Sequence, residues 1–126
     1  MQIGTNNSME VNIRKGVKSD LPVILKLIKE LAEYEKSLDK VLITIVDLEK
    51  DGFGKHPLYW ILIAEVDTKI VGMAFYYIRY STWSGKTLYL EDFIIRKSFR
   101  RKGIGSLLFE ECMRITKKIN ANSMVW

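Results

Sequence analysis

Hydrophobic residues recur along this chain at two spacings, one typical of helices and one of strands. Helical spacing occurs at Val23, Ile24, Leu27, Ile28, Leu31 and Tyr34, with lysines and glutamates between them. This predicts an amphipathic helix capped by Ser19 and ending at Tyr34. A second helix is predicted from about Gly105 to Asn120, and its inward residues are Leu107, Leu108, Cys112 and Ile115. Between them, Thr44-Ile-Val-Asp47 resembles a capping box and predicts a short helix ending near Gly52.

Apolar runs bounded by turn residues predict five strands. They cover residues 10–14, 59–65, 70–80, 87–95 and 122–126, with a hairpin turn at 66–69. The predicted order is therefore β-α-α-β-β-β-α-β. This order indicates one mixed α/β (α+β) domain over residues 10–126. Residues 1–9 are polar, and we expect a flexible leader there, with Met9 as a possible natural start.

A basic glycine loop follows the fourth predicted strand and precedes the last predicted helix. It reads Arg-Arg-Lys-Gly-Ile-Gly-Ser over residues 100–106. Glycines let the backbone approach a ligand closely, and the N–H groups of the next helical turn favour an anion. Two familiar phosphate loops are excluded, because Gly105 is followed by Ser106 and Leu107, and the position for a third glycine is Leu108.

The net charge of +5 is concentrated near this loop. Residues 1–95 carry −1 and residues 96–126 carry +6, and five of the seven residues from 96 to 102 are basic. Clustered cations suit nucleic acid or the phosphates of a compact coenzyme. Because the cluster contains a single aromatic residue, Phe99, and no interleaved aromatic platform, the coenzyme is favoured, and no nucleic-acid partner is expected.

The remaining composition indicates an ordinary cytoplasmic protein. No apolar run is long enough to cross a membrane, and the N-terminus lacks the order of a secretory signal. The single cysteine, Cys112, allows no internal disulfide and is predicted to be a buried thiol. His56 has no second histidine or cysteine pair nearby in sequence, so no metal site is expected.

Glu91 and Asp92 are the candidate acid–base residues. As neighbours on a strand they point to opposite faces, unless the strand bulges. One of them, between Leu90 and Phe93, is expected to be desolvated, which would raise its pKa toward that of a useful base. A salt bridge to the basic cluster is the other interpretation. Glu33 and Glu35 make the helix end acidic, suited either to a cationic substrate or to solvent, and Trp83 is interpreted as a packing anchor more readily than as a substrate contact.

The R-x-x-G-x-G pattern of the loop resembles the pyrophosphate loop of the GCN5-related N-acetyltransferases. Five segments in order are similar to the spermidine/spermine acetyltransferase branch of that superfamily: 27–35, 51–57, 70–72, 88–93 and 100–106. The resemblance implies the acyl-CoA N-acyltransferase fold, with a mixed, mostly antiparallel sheet splayed between its fourth and fifth strands. Acetyl-CoA would bind in the gap, and members of the family form homodimers.

The resemblance also implies roles for individual residues. Glu91 matches the residue that takes the amine proton. The coenzyme set comprises Phe93, Ile94 and Ile95, by their backbone, and the loop residues Arg100, Arg101, Lys102, Gly103, Ile104, Gly105 and Ser106. The acceptor set comprises Tyr34, Glu35, Ser81, Thr82, Trp83, Asp92, Val125 and Trp126.

The acceptor is narrowed by the loop before Trp83. Polyamine-acetylating members usually carry Asp-Pro there, whereas Ser81-Thr82-Trp83 resembles the sister group that acetylates thialysine. We therefore favour a small diamine or an amino-acid side-chain amine over spermidine. The family continues with a helix and a proton-donating tyrosine that would follow Trp126, so we expect a longer native gene product or an impaired form. The alternatives are a non-catalytic coenzyme-A or anion-binding module and a basic nucleic-acid-binding domain.

Overall fold

One mixed sheet forms the centre of the computed structural model, which describes residues 2–4 and 9–126. Its strands lie in chain order, β1 to β6, and every neighbouring pair is antiparallel except β5 and β6. The strands are β1 (Gln2–Gly4), β2 (Glu10–Lys15), β3 (Trp60–Val66), β4 (Lys69–Ser81), β5 (Gly85–Ile95) and β6 (Ser123–Val125). The predicted mixed, mostly antiparallel sheet is confirmed.

Helices cover both faces of the sheet. They are α1 (Leu21–Tyr34), α2 (Ile45–Phe53) and α3 (Ile104–Lys118). The apolar sides of α1 and α2 pack with Tyr59, Ile61, Ile63 and Met73 on one face. On the other face α3 buries Leu108, Cys112 and Ile115 against the remaining sheet residues, because period-2 alternation gives each strand two apolar sides. Each helix and strand predicted over residues 10–126 is present, with ends within two residues.

One local prediction is corrected by the structure and one is confirmed. Much of the predicted leader lies outside the described residues, and the part that is described, Gln2–Gly4, pairs with β2. Ser19 is not the N-cap of α1, because a 3₁₀ turn (Lys18–Asp20) precedes the helix and places Asp20 at the cap. Thr44 does form the predicted capping box, since its Oγ1 accepts from Asp47 N–H at 3.2 Å and its N–H donates to Asp47 Oδ2 at 2.9 Å.

A charged network joins the start of α1 to strands β2 and β3. Arg14 donates to both carboxylate oxygens of Asp20, at 2.8 and 2.9 Å, and pairs with Glu65 at 3.0 Å. The N–H of Val17 also donates to Asp20 at 2.7 Å. The bonds from Arg14, more than that from Val17, hold the pKa of Asp20 below its ordinary value despite burial.

Replacing Asp20 by alanine is expected to lower the free energy of unfolding by roughly 3 kcal/mol at neutral pH, since Arg14 then loses its main partner. Because the folded-state pKa of Asp20 is depressed, this stabilisation is present above the unfolded-state pKa near 4 and is lost as pH falls below it. Urea denaturation at pH 7 and at about pH 3 measures both effects. The exposed Asp39→Ala serves as control, and equal losses in the two variants would contradict this role.

Candidate active site

A β-bulge places Glu91 and Asp92 together in the middle of the sheet. The register runs from Ile95 opposite Gly72 to Asp92 opposite Phe75, and then passes to Leu90 opposite Tyr76. Glu91 is therefore the extra residue, with no partner on β4. In such a bulge the alternation of faces is interrupted, so that both carboxylates can lie on one side. The bulge resolves the difficulty that adjacent strand residues point to opposite faces.

The side in question is the face covered by α1 and α2. Asp92 is opposite Phe75, which packs into the core beneath these helices. Burial is the main cause that raises the pKa of Asp92 to about 6, and the charges of Glu91 and Glu35 raise it further. Glu91 itself is exposed. The predicted desolvated carboxyl is therefore Asp92, with the exposed Glu91 beside it.

The C-terminal end of α1 supplies the third carboxylate. Glu35 is the C-cap of α1, and its charge acts on Asp92. Tyr34 ends the helix with 85% of its surface exposed. The charges of Glu91 and Glu35 thus both act on Asp92, and Asp92 forms no ion pair with any cation among the described residues. Negative charge concentrated in this way attracts a cationic amine.

The outer edge of β5 is open beyond the bulge. Strand β6 pairs with β5 only at Thr87, Leu88 and Tyr89. On the edge of β5 that pairs with β4, Arg96 N–H donates to Val71 O. Backbone groups of successive residues in a strand point to opposite edges, so the N–H and C=O of Ile94 also point toward β4. Those of Phe93 and Ile95 point outward. The outward carbonyl of Ile95 accepts from Arg100 Nε at 2.9 Å. The N–H and C=O of Phe93 and the N–H of Ile95 therefore point outward, without a partner among residues 2–4 and 9–126.

The glycine loop turns sharply from β5 into α3. Arg101 and Gly103 both adopt left-handed backbone, with φ of 64° and 82°. Gly103 is the N-cap of α3 and has no side chain to accept from the first helical turn. The N–H groups of that turn therefore point outward without a side-chain cap, which is the arrangement that binds an anion.

Only part of the basic cluster has partners within the described chain. Arg96 lies 3.9 Å from Glu30 on α1, and Arg100 bonds the Ile95 carbonyl. Lys97, Arg101 and Lys102 form no ion pair with the residues that the structure describes, and all three are exposed. Their charges therefore remain available to a multiply charged ligand.

A groove of about 410 Å³ lies between the open edge of β5 and the first turns of α3. It is lined by Phe93, Gly105, Ser106, Phe109, Glu110 and Met113. The ring of Phe109 contacts Phe93 and Trp126 edge to face, with centroids 6.1 and 5.6 Å away. Trp126 thus lies on the α3 side of the sheet beside this groove, whereas Val125 is in register with Tyr89.

The hairpin between β4 and β5 presents Trp83 to solvent. Ser81 Oγ accepts from the N–H groups of Trp83 and Ser84, both at 3.1 Å, and so holds the turn that includes Thr82. Trp83 is 96% exposed. Its interpretation as a packing anchor is wrong, because the turn directs the indole away from both cores.

Other candidate groups lie away from the carboxylates. Cys112 is fully buried, and burial raises the pKa of its thiol to about 12, as expected for an inert thiol. His56 is exposed in the connector after α2. Among residues 2–4 and 9–126, no three His, Cys, Asp or Glu side chains converge to hold a metal, and no helix of this part is long and apolar enough to cross a membrane.

A larger cavity, of about 600 Å³, lies beneath the C-terminal half of α3. Its lining includes Trp60, Tyr76 and Ile78 but none of the predicted site residues. Size alone does not make it the active site, because the perturbed carboxyl and the anion loop both lie at the other end of α3.

Sequence reasoning missed three residues on the face that carries Asp92. Tyr77 and Tyr89 face each other across β4 and β5, with ring centroids 5.2 Å apart. The guanidinium of Arg79 lies over the Tyr89 ring, 4.9 Å from its centroid. Tyr77 and Arg79 occupy alternate positions on β4, which indicates that they share a face of the sheet. Their position opposite Tyr89 and near Asp92 becomes known only with the register of β4 and β5.

The sequence of the chain matches a known family and named relatives. The model of the Acetyltransferase (GNAT) family matches residues 24–126. The chain is 42% identical over 119 residues to the human spermidine/spermine N(1)-acetyltransferase-like protein 1, covering 89% of this chain and 17% of that protein. It is 41% identical over 113 residues to the thialysine N-epsilon-acetyltransferase of Bos taurus, covering 83% of this chain and 66% of that enzyme.

The fold is shared with a solved enzyme of more distant sequence. Aminoglycoside N-acetyltransferase AAC(6′)-Iy, solved in complex with CoA, aligns with a TM-score of 0.74 at 20% identity, over 97% of this chain and 79% of that one. The chain spans 66% of the bovine relative's length and 17% of the human relative's. By its match over residues 24–126, the chain belongs to the GNAT acetyltransferase family.

Proposed function

We propose that this protein is an acetyl-CoA-dependent N-acetyltransferase that acts on a primary amine of a small diamine, a polyamine or a lysine-like amino acid. The observation that carries the proposal is the bulge in β5, which sets Glu91 and Asp92 beside each other and opposite Glu35. The same strand continues directly into the anion loop. A proton acceptor and a coenzyme site thus lie along one strand.

The residues present fit acetyl-CoA. The cap at Gly103 and the unpaired cations Lys97, Arg101 and Lys102 suit a pyrophosphate. A Cβ at Gly105 would point toward Ile95 and Phe93, into the groove that a ligand would enter. The outward backbone groups of Phe93 and Ile95 suit the amides of the pantetheine arm, in the manner of an added strand. When bound there, acetyl-CoA supplies the thioester carbonyl.

The carboxylates then prepare the amine. A primary amine is cationic near neutral pH and must lose a proton before its lone pair attacks the carbonyl carbon. Glu91 accepts this proton, directly or through water, while Asp92 and Glu35 attract and orient the cation. The C–N bond forms as the C–S bond breaks, and coenzyme A leaves as a thiolate that takes up the second proton released by the amine nitrogen. Holding both reactants beside one strand makes this step effectively unimolecular.

No covalent intermediate on the protein is required by this scheme. The one thiol of the chain, Cys112, is buried on the inner side of α3, and burial raises its pKa so far that it is not ionised at neutral pH. Direct attack by the bound amine is therefore the route that the described residues support. A homodimer and a cytoplasmic location complete the proposal. The chain has one cysteine, Cys112, which allows no internal disulfide, and this composition fits a reducing compartment.

The test is acetyl-CoA consumption with spermidine, putrescine, lysine, ornithine and thialysine as acceptors, with acetyl-CoA binding measured in parallel. We expect coenzyme A release that depends on the amine. Binding without release on any amine would instead favour a binding module, and absence of binding would overturn the assignment of the loop. Binding that falls steeply with salt and is shared by nucleic acid would favour the basic-domain alternative.

A further inference from the structure

Arg79 carries a positive charge on the same face of the sheet as Asp92. Its guanidinium stacks on Tyr89, 4.9 Å from the ring centroid. The residue is exposed, and it forms no ion pair with any carboxylate in the described part of the chain. A cation that is oriented by an aromatic ring but lacks an anionic partner is available to a ligand.

The strand register connects this cation with the carboxylates. Opposite pairs on this face run from Phe75 and Asp92, through Tyr77 and Tyr89, to Arg79 and Thr87. Tyr77 packs at the edge of the α1 and α2 core, so the row lies on the face of the sheet that these helices cover. Phe75 and Arg79 are four residues apart on β4, which separates their Cα atoms by roughly 13 Å.

This separation suits one class of acceptor. An extended amino acid of lysine length places its terminal amine about 7–8 Å from its carboxylate carbon, given bonds of about 1.5 Å. If the amine lies at Glu91 and Asp92, the carboxylate lies between the tyrosine pair and Arg79. The flexible Arg79 side chain can span the remaining few ångströms. A guanidinium is also the best geometric partner for a carboxylate, through two parallel N–H···O bonds.

The charges on this face favour an amino acid over a diamine or polyamine as the acceptor. On this face the charges of Glu35, Glu91 and Asp92 are negative, and the charge of Arg79 is positive. A diamine or polyamine lying along this row would place a second cation against the guanidinium, whereas an amino acid places its anion there. The repulsion between this second cation and the guanidinium would weaken the binding of a diamine or polyamine.

We propose that Arg79 is a specificity-determining residue that binds the α-carboxylate of an amino acid whose side-chain amine is acetylated at Glu91. Tyr89 positions the guanidinium for this contact. The inference rests on the proposed function, because it assumes that the amine lies at Glu91 and Asp92. It narrows the acceptor from amines in general to zwitterionic amino acids.

The test compares the affinities of lysine and of cadaverine, which is lysine without its carboxylate. Calorimetry measures both Kd values in excess coenzyme A, for the wild type and for Arg79→Gln. We expect Arg79→Gln to weaken lysine binding about 10-fold or more, as for loss of a bidentate charged contact, with cadaverine binding unchanged or tighter. Arg79→Lys keeps the charge but loses the fork, and should lie between the two.

The control is Lys69→Gln, which removes one charge from an exposed position on the same strand. Lys69→Gln should leave the ratio of the two Kd values unchanged. An unchanged ratio in Arg79→Gln, or a wild type that binds cadaverine but not lysine, would overturn the role of Arg79 and leave the proposed function standing. A wild type that binds neither amine would overturn both.

Discussion

Glu91→Gln is expected to lower kcat/KM for the amine by about 10²- to 10⁴-fold, the usual range for loss of a general base. Affinity for acetyl-CoA should be nearly unchanged, because the substitution preserves shape and Glu91 does not line the groove proposed for the coenzyme. Initial rates of thiol release and calorimetry measure the two quantities. Glu10→Gln, which neutralises an exposed carboxylate on β2, is the matched control and should retain wild-type kinetics.

The neighbouring Asp92 provides an independent readout of the same change. Its pKa of about 6 is caused first by burial and then by the charges of Glu91 and Glu35. Glu91→Gln removes one of these charges, so the pKa of Asp92, followed by carboxyl NMR, should fall. It should stay above its ordinary value because burial is unchanged. If Glu91→Gln keeps full activity and Asp92→Asn loses it, the base is Asp92 and the assignment to Glu91 is wrong.

Gly105→Ala is expected to weaken acetyl-CoA binding without harming the fold. A Cβ at Gly105 would lie 3.8 Å from Ile95 Cγ1 and 3.9 Å from Phe93 Cε1, which are ordinary contact distances. The protein therefore has room for it, and helix propensity changes stability favourably by at most about 1 kcal/mol. The new methyl occupies the groove instead. Loss of one charge-assisted hydrogen bond to a phosphate would raise the Kd by about 10- to 100-fold.

Gly103→Ala separates the backbone requirement of the loop from ligand access. No atom lies within 4 Å of a Cβ built at Gly103, but its φ of 82° is unfavourable for alanine. We therefore expect a loss of roughly 1–2 kcal/mol in unfolding free energy for this variant, measured by urea denaturation, and none for Gly105→Ala. Unchanged acetyl-CoA affinity in a stably folded Gly105→Ala would contradict the placement of the coenzyme beside this glycine.

The regular elements could be predicted from sequence because each has a strong local signal. The apolar positions of α1 and α3 repeat at helical spacing, and Thr44 with Asp47 marks the start of α2. Residues 66–69 were recognisable as a turn, and Asp67 and Thr68 indeed adopt left-handed backbone there. The cap of α1 was missed, since the ion pair of Asp20 with Arg14 depends on a contact between elements.

The candidate site was only partly predictable. The glycine loop and the two adjacent carboxylates are contiguous in sequence, so their chemistry can be inferred from the order of residues alone. The exposure of Trp83 cannot, because it depends on how Ser81 holds the hairpin turn. Which carboxyl is desolvated also depends on packing, since burial is the main cause that raises the pKa of Asp92, and burial is set by the elements packed around β5.

Sequence alone therefore determined the order of elements, the anion loop and the resemblance to a family, because periodicity, glycine spacing and charge are local properties of the chain. Tertiary structure decided the bulge at Glu91, the raised pKa of Asp92 and the row that ends at Arg79. The bulge and the row depend on which residue of β4 lies opposite which residue of β5, and the raised pKa depends on the packing that buries Asp92. Alternation along one strand cannot specify that register, because it is set by pairing between two strands and by the helices packed on them.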